Sequence, residues 1–257
     1  MSEVGIHLAE EVPCVNIKPL LWKGLETAGS IQLRVVSWNM NKRKCGCWEW
    51  LLEELKPDYV LAQEASPLPD GVKATTRTTT KKSNRSTFYS KENNHQKVKV
   101  KTDNGMGLIV SKAGEIHFIC VYANLDFKPV DLPLLGLISS YVAHLRQYEG
   151  AKEILIAGDF NMDRRMDENP TGSVFATKDT YPTNNFFDAI LDMGFQDCMR
   201  KFNAEPMQTH RHARSKFPWE LDHMFATENL YERLNNIEVV TANTLSDHDP
   251  IVADFKL

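Results

Sequence analysis

The sequence predicts an α/β protein, built as a four-layer α/β sandwich in which two packed mixed β-sheets are flanked by helices. Short β-branched runs alternate with stretches of helical period, and several neighbouring strand candidates have no helix between them. The composition, 42% hydrophobic and 25% charged residues, is ordinary for a globular domain. A purely doubly wound sheet would need a crossover helix between parallel neighbours, so a system of mixed sheets fits better.

The strand candidates are short apolar runs bounded by polar or turn-forming residues. They occupy residues 34–38, 59–63, 106–111, 116–123, 154–157, 224–226, 237–241 and 251–255. Helical spacing of apolar residues predicts helices over residues 48–55, 131–148 and 185–193. The polar, basic stretch that ends near residue 103 is predicted to be a loop.

The length of 257 residues is enough for one substantial domain, which we expect to span residues 31–257. Residues 1–30 are expected to be an N-terminal extension or an edge element. No apolar run approaches the roughly 18–20 residues of a membrane span, and the N-terminus does not resemble a secretory signal. The five cysteines are scattered without metal-site spacing, so we expect a reduced, cytoplasmic protein. We also expect a monomer without membrane contact.

The charge is unevenly distributed along the chain. Residues 73–101 contain nine Lys or Arg and one Glu, a net +8, so the remainder carries −12 of the overall −4. A basic segment on an acidic body is typical of a protein that docks an anionic polymer at one place. A solvated loop is the alternative reading of this segment.

Polar residues stand at the ends of strand candidates in six places along the chain. They are Asn39, Glu64, Asn124, the pair Asp159 and Asn161, the pair Asp222 and His223, and the pair Asp247 and His248. The carboxyl ends of strands are where α/β folds gather their sites. Bringing that many polar groups together out of water is costly unless a metal or ligand uses them.

The ordered motifs WN, QE, GDFN, LDH and SDHDP resemble those of the endonuclease/exonuclease/phosphatase superfamily, also called DNase I-like. The resemblance covers residues 34–255 and implies a four-layer sandwich whose single domain is catalytic. The superfamily includes DNase I, exonuclease III, abasic-site endonucleases, deadenylases, inositol-polyphosphate phosphatases and neutral sphingomyelinases. The implied activity is divalent-metal-dependent hydrolysis of phosphoric esters.

The residue types fit that chemistry. Phosphoryl transfer needs in-line attack by water and neutralisation of charge on the phosphate oxygens. Glu64 is a hard oxygen ligand suited to Mg²⁺ or Mn²⁺, with Asn39 beside it and Asp247 completing the protein ligands. His248 is the candidate to contact the phosphate or handle a proton, held in one tautomer by Asp222.

By resemblance, three further residues belong to the predicted catalytic set. Asp159 would position or deprotonate the attacking water, Asn161 would bind the phosphate or help to orient that water, and Asn124 would hydrogen-bond a phosphate oxygen. Many relatives carry a second histidine at the position of Asn124, whereas exonuclease III-like enzymes carry Asn, with a Tyr three residues earlier. Here that earlier position is Val121. Tyr122 lies two residues before Asn124, on the same strand face, and is predicted to point into the site.

Other polar and aromatic residues near the motifs have simpler interpretations. We expect Trp38 to be a core residue and His223 to be a packed histidine. His210 and His212 lie in a polar run that we expect to be a solvated loop rather than a metal site. Arg211 and Arg214 of that run are candidates for phosphate contact.

The favoured function is therefore a nuclease that hydrolyses phosphodiester bonds in DNA or RNA. Lys81, Lys82 and Arg85 of the basic segment are its predicted substrate-binding residues, because such clusters track a phosphate backbone. One alternative is a phosphatase or phosphodiesterase for an inositol phosphate, a nucleotide or a phospholipid head group. Another is a nucleic-acid-binding protein that has lost catalysis.

Overall fold

A computed structural model describes residues 32–42, 46–79, 84–99, 108–123, 131–168, 182–211, 217–242 and 244–256. Within these ranges the chain forms two six-stranded sheets and four α-helices. The expectation for residues 1–30 lies outside the described residues.

The first sheet has the strand order β11-β12-β1-β2-β4-β3. Its strands are β1 (Gln32–Asn39), β2 (Tyr59–Gln63), β3 (Ala74–Thr79), β4 (Asn84–Ser90), β11 (Leu234–Val239) and β12 (Ile251–Lys256). β1 and β2 are parallel, and the other neighbours are antiparallel.

The second sheet has the order β5-β6-β7-β8-β10-β9. Its strands are β5 (His95–Lys97), β6 (Ile109–Ala113), β7 (Ile116–Tyr122), β8 (Glu153–Asp159), β9 (Phe195–Asp197) and β10 (Asp222–Thr227). β7 and β8 are parallel, and the remaining pairs are antiparallel.

The two sheets pack face to face and helices cover their outer faces. Phe88, Phe118 and Phe255 are buried in the cluster between the sheets. The helices are α1 (Cys47–Trp50), α2 (Asp131–Tyr148), α3 (Thr183–Asp192) and α4 (Glu228–Glu232). Apolar residues of α2 and α3 pack on the second sheet, and those of α1 pack on the first. The prediction of two packed mixed sheets flanked by helices is confirmed.

The basic segment differs from its prediction as a loop, because it contains β3, β4 and β5. β3 and β4 form an antiparallel hairpin at the edge of the first sheet, next to β2. Thr, Phe and Tyr favour strands, and Phe88 of β4 is fully buried. The prediction failed because the charged residues obscured the alternation of inward and outward side chains.

The helix predicted over residues 48–55 also differs from its prediction. It begins as α1 and continues as a π-helical turn, Leu51–Leu55, closed by a hydrogen bond from the Lys56 amide to the Leu51 carbonyl.

None of the described helices has the length and apolar character that a membrane span requires.

Candidate active site

The candidate site lies where strand ends from both sheets meet. In β8 and β10, Asp159 and Asp222 are directly opposite each other, so β10 begins where β8 ends. The segment before β12 lies beside the end of β1, because Ser246 Oγ donates to the Asn39 carbonyl at 2.8 Å. The Trp38 indole donates to the His248 carbonyl at 2.9 Å, so the buried Trp38 also anchors the site.

Asp159 is almost completely buried and its carboxylate is held on both oxygens. Oδ1 accepts from the Asn161 amide at 2.8 Å, and Oδ2 accepts from Asn39 Nδ2 at 2.8 Å and from Asn161 Nδ2 at 3.1 Å. Burial raises the pKa of Asp159 to about 7, and the charge of Asp222 adds to the shift while that of His248 opposes it. Asp159 is therefore a fixed carboxylate with unusually high proton affinity.

His248 and Asp222 form a buried pair. Asp222 Oδ2 lies 2.8 Å from His248 Nδ1, which leaves Nε2 as the ring nitrogen free of this contact. Burial alone would lower the pKa of His248, but the charge and hydrogen bond of Asp222, with the charge of Asp159, raise it to about 10. Asp222 Oδ1 is buried and has no hydrogen-bond partner among the described residues. An unpaired buried acceptor of this kind favours a bound cation or water.

Glu64 stands at the end of β2 and is held by two donors. The Tyr122 hydroxyl donates to Oε1 at 2.7 Å, and Lys42 Nζ lies 3.0 Å from Oε2. The structure thus brings Tyr122 to Glu64, on the site side of β7. Asn39 lies close by, but its oxygen accepts from the Asn41 amide at 2.9 Å while its nitrogen contacts Asp159.

Asp247 is linked to the same edge through Asn41, a residue that the motifs did not single out. Asn41 Nδ2 donates to Asp247 Oδ1 at 2.7 Å. Although burial works in the opposite direction, the contact with the His210 ring and the charges of His248 and His210 hold the pKa of Asp247 well below its usual range. Asp247 is therefore anionic across the physiological range.

His210 belongs to the site, and the prediction that it lies in a solvated loop is wrong. Its ring centroid is 4.4 Å from that of His248, and its Nε2 is 3.9 Å from Asp247 Oδ2. Its side chain is only 12% exposed. Bridge pairing of His210 with both Trp219 and His248 brings it there, a long-range contact that no local pattern indicates.

Left-handed backbone conformations cluster at this edge. Among the described residues, six other than glycine have positive φ, and four of these are Asn41, Lys42, Glu64 and Asn161. Such conformations are uncommon for residues with a Cβ and concentrate at functional sites.

Two groups of ligand atoms are close enough to hold a metal ion. Asp159, Asp222 and His248 form one, and His210, Asp247 and His248 form the other, with the ligand atoms of each within 4.8 Å of one another. Asp247 of the second group and Glu64, which belongs to neither, carry hard carboxylate oxygens of the type that Mg²⁺ and Mn²⁺ prefer. The donor set fits a divalent cation.

The remaining predicted residues make other contacts or lie outside the described chain. His223 is packed against Phe160 and Phe187 and contacts the Met162 carbonyl at 2.8 Å, as expected for a packed histidine. Arg211 forms an ion pair with Asp249, Nη1 to Oδ2 at 2.6 Å. Arg85 lies in β4, where only the backbone is described. Asn124, Lys81, Lys82, His212 and Arg214 lie outside the described residues.

Comparison with known proteins gives a match in structure only. No protein-family model matches the chain, and no curated protein matches it in sequence. An AP endonuclease from Archaeoglobus fulgidus is similar with a TM-score of 0.67 and 21% identity, over 88% of this chain and all (100%) of that one. The AP endonuclease LMAP from Leishmania major has a TM-score of 0.65 and 16% identity, over 88% of each chain.

A third similar structure is the 3′ phosphatase NExo from Neisseria, bound to a product DNA hairpin. Its TM-score is 0.66 at 15% identity, over 88% of this chain and 100% of that one. The two six-stranded sheets and the likeness to these three structures show that the chain has the DNase I-like fold.

Proposed function

We propose that this chain is a divalent-metal-dependent phosphoesterase that hydrolyses phosphodiester bonds in DNA. The observation that carries the proposal is the buried cluster of two carboxylates and one imidazole, Asp159, Asp222 and His248, at one edge of the sandwich. The similar structures are named as AP endonucleases and a DNA 3′ phosphatase, which supports DNA over RNA. The assembled cluster also argues against a binding protein without catalysis.

His248 is proposed to contact the phosphate. Because Asp222 holds Nδ1, the Nε2 side of the ring is the one offered to substrate. With its pKa raised to about 10, His248 is protonated at neutral pH and donates a charged hydrogen bond to a phosphate oxygen.

Asp159 is proposed to position and deprotonate the attacking water. Asn39 and Asn161 fix its carboxylate, so its free lone pairs have a defined direction. A general base works best when its pKa is near the operating pH, and that of Asp159 is raised to about 7. Asn161 and Asn124 would add hydrogen bonds to the phosphate.

Glu64 and Asp247, with Asn39 beside them, are the residues proposed to hold Mg²⁺ or Mn²⁺. When bound, the ion neutralises charge on the phosphate and stabilises the leaving oxygen. Tyr122 orients Glu64 through its hydroxyl and is the nearest neutral donor at this carboxylate.

The β3–β4 hairpin is the proposed substrate-binding edge. It adjoins β2, whose end carries Glu64, and the connection between β3 and β4 contains Lys81 and Lys82. Arg85, Arg211 and Arg214 are the other proposed phosphate contacts. The ion pair of Arg211 with Asp249 makes it the weakest candidate of these.

A second candidate is removal of a terminal phosphate from DNA, because one similar structure is named as a 3′ phosphatase. Because both reactions use the same phosphate chemistry, only the preferred substrate distinguishes them, and one substrate panel can separate them. It contains an abasic duplex, intact duplex, single-stranded DNA, RNA, a 3′-phosphorylated hairpin and inositol phosphates, each with Mg²⁺, Mn²⁺ or EDTA.

We expect metal-dependent cleavage of a DNA substrate, lost in both Glu64→Ala and His248→Ala while the fold is retained. Turnover of inositol phosphates alone would favour the small-substrate alternative. Near-normal turnover in both variants would refute the assignment of the site.

A further inference from the structure

Lys42 places a positive charge on the carboxylate at which the divalent cation is proposed to bind. Its Nζ lies 3.0 Å from Glu64 Oε2. We propose that Lys42 is a built-in competitor for the divalent cation at Glu64, so that metal binding displaces the lysine ammonium. The inference rests on the proposed function, because Glu64 is a metal ligand only there.

The backbone fixes Lys42 next to Glu64. The Lys42 amide donates to the Glu64 carbonyl at 2.9 Å, a second link between the two residues beside the ion pair. Both have left-handed backbone, with φ of 54° at Lys42 and 44° at Glu64. Glycine would suit such a position in the β1–α1 connection, yet a residue with a long cationic side chain occupies it.

The other donors at the proposed ligand oxygens differ from Lys42 in charge. Tyr122 at Glu64 and Asn41 at Asp247 are neutral and stay compatible with a nearby cation. An ammonium group and a divalent ion that bind the same carboxylate lie close together and therefore repel each other. Among the described residues, Lys42 is the Lys or Arg paired with Glu64, so it is the group that the metal must replace.

The lysine has room to leave. Its side chain is 49% exposed, whereas that of Glu64 is 15% exposed, so displacement moves the ammonium into water while Glu64 stays in place. An ion pair with one solvated partner is weak. Removing it should therefore tighten metal binding by a modest factor, roughly 1.5-fold to fivefold.

Calorimetric titration of the full-length protein with Mn²⁺, without substrate, tests the proposal. Lys42→Met should bind Mn²⁺ roughly 1.5 to five times more tightly than the original chain, and Lys42→Arg should not. Lys91→Met is the matched control, because Lys91 pairs with Asp58 before the start of β2, at the opposite end of the strand from Glu64. It makes the same change in net charge and should leave the affinity unchanged.

Glu64→Gln separates failure of this inference from failure of the proposed function. If Glu64→Gln weakens Mn²⁺ binding but Lys42→Met matches the original chain, the competitor role is overturned and the metal site stands. If Glu64→Gln leaves the affinity unchanged, both are overturned. Circular dichroism melting checks that each variant folds, and Lys42→Gln replaces Lys42→Met if the latter does not.

Discussion

Asp222 Oδ2 lies 2.8 Å from His248 Nδ1, and both residues are buried. This contact fixes the orientation of the imidazole and keeps it protonated, since the raised pKa of His248 depends on the Asp222 charge. A neutral partner of the same shape would keep the ring in place but lose that charge.

Asp222→Asn should therefore reduce kcat on the DNA substrate by roughly 10²–10⁴-fold with a much smaller change in KM. Steady-state kinetics with thermal melting would measure both effects. Asp188→Asn is the matched control, because Asp188 is an exposed partner of Arg164 on α3. A loss of less than threefold in Asp222→Asn would contradict the role of the pair.

The pH dependence of the reaction should reflect Asp159 and His248. A base must be unprotonated, so kcat/KM should rise with pH up to about 7, the raised pKa of Asp159. The hydrogen bond that His248 donates to the phosphate requires a protonated ring, so activity should fall again as the pH approaches about 10, the raised pKa of His248. Because the two groups are close, the profile belongs to the cluster as a whole. Asp159→Asn should lose most activity, and its residual kcat/KM should no longer rise with pH up to about 7. If the residual activity keeps that rise, Asp159 is excluded as the base.

Much of this site could be predicted from sequence because its residues follow buried strands. Asn39, Glu64 and Asp159 stand at or directly after the ends of such strands, and parallel pairing of β1 with β2 aligns the first two. Asp222 begins β10, and antiparallel pairing with β8 sets it opposite Asp159. A strand is recognisable from its apolar run, so the residue that follows it is recognisable too.

Residues brought in by irregular backbone could not be found in this way. His210 reaches the site through isolated bridges from a polar segment, and Asn41 through a left-handed turn. The one local signal was the tolerance of Asn for positive φ, two residues after Asn39. The β3–β4 hairpin was missed for a different reason, because its charged residues hid the alternation of inward and outward side chains.

His210 should support Asp247 rather than merely fill space. His210→Phe keeps an aromatic ring against His248 but removes the nitrogen that faces Asp247. Loss of a group that orients a metal ligand typically costs about 10–100-fold in metal affinity or activity. We expect Mn²⁺ affinity and kcat to fall in His210→Phe and to be partly restored in His210→Gln. Equal activity of His210→Phe and the original chain would indicate a packing role only.

Gly158 is required by close packing of β8 on β7. A Cβ built on Gly158 would lie 1.9 Å from the Val121 carbonyl oxygen, and its φ is 152°. Because that contact is with backbone, Gly158→Ala should destabilise the fold by about 3 kcal/mol or more and displace Asp159. Gly136→Ala is the control, since Gly136 lies in α2 with nothing near its Cβ position, and it should stabilise by about 0.5–1 kcal/mol. Denaturant unfolding of both variants would show whether the two substitutions have opposite signs.

His117 should make the fold sensitive to acid. It is buried in β7, and burial lowers its pKa from the ordinary 6.5, with a further contribution from Lys112 that Glu149 and Glu115 oppose. The unfolded chain takes up a proton near pH 6.5 and the folded chain does so only at lower pH, so the stability present above pH 6.5 is lost as the pH falls below it. His117→Leu removes this difference in proton uptake, and its free energy of unfolding should decline less steeply between pH 7 and pH 5 than that of the original chain. Urea unfolding at a series of pH values would measure the two slopes, and identical slopes would show that His117 binds its proton equally well in the folded and unfolded chain.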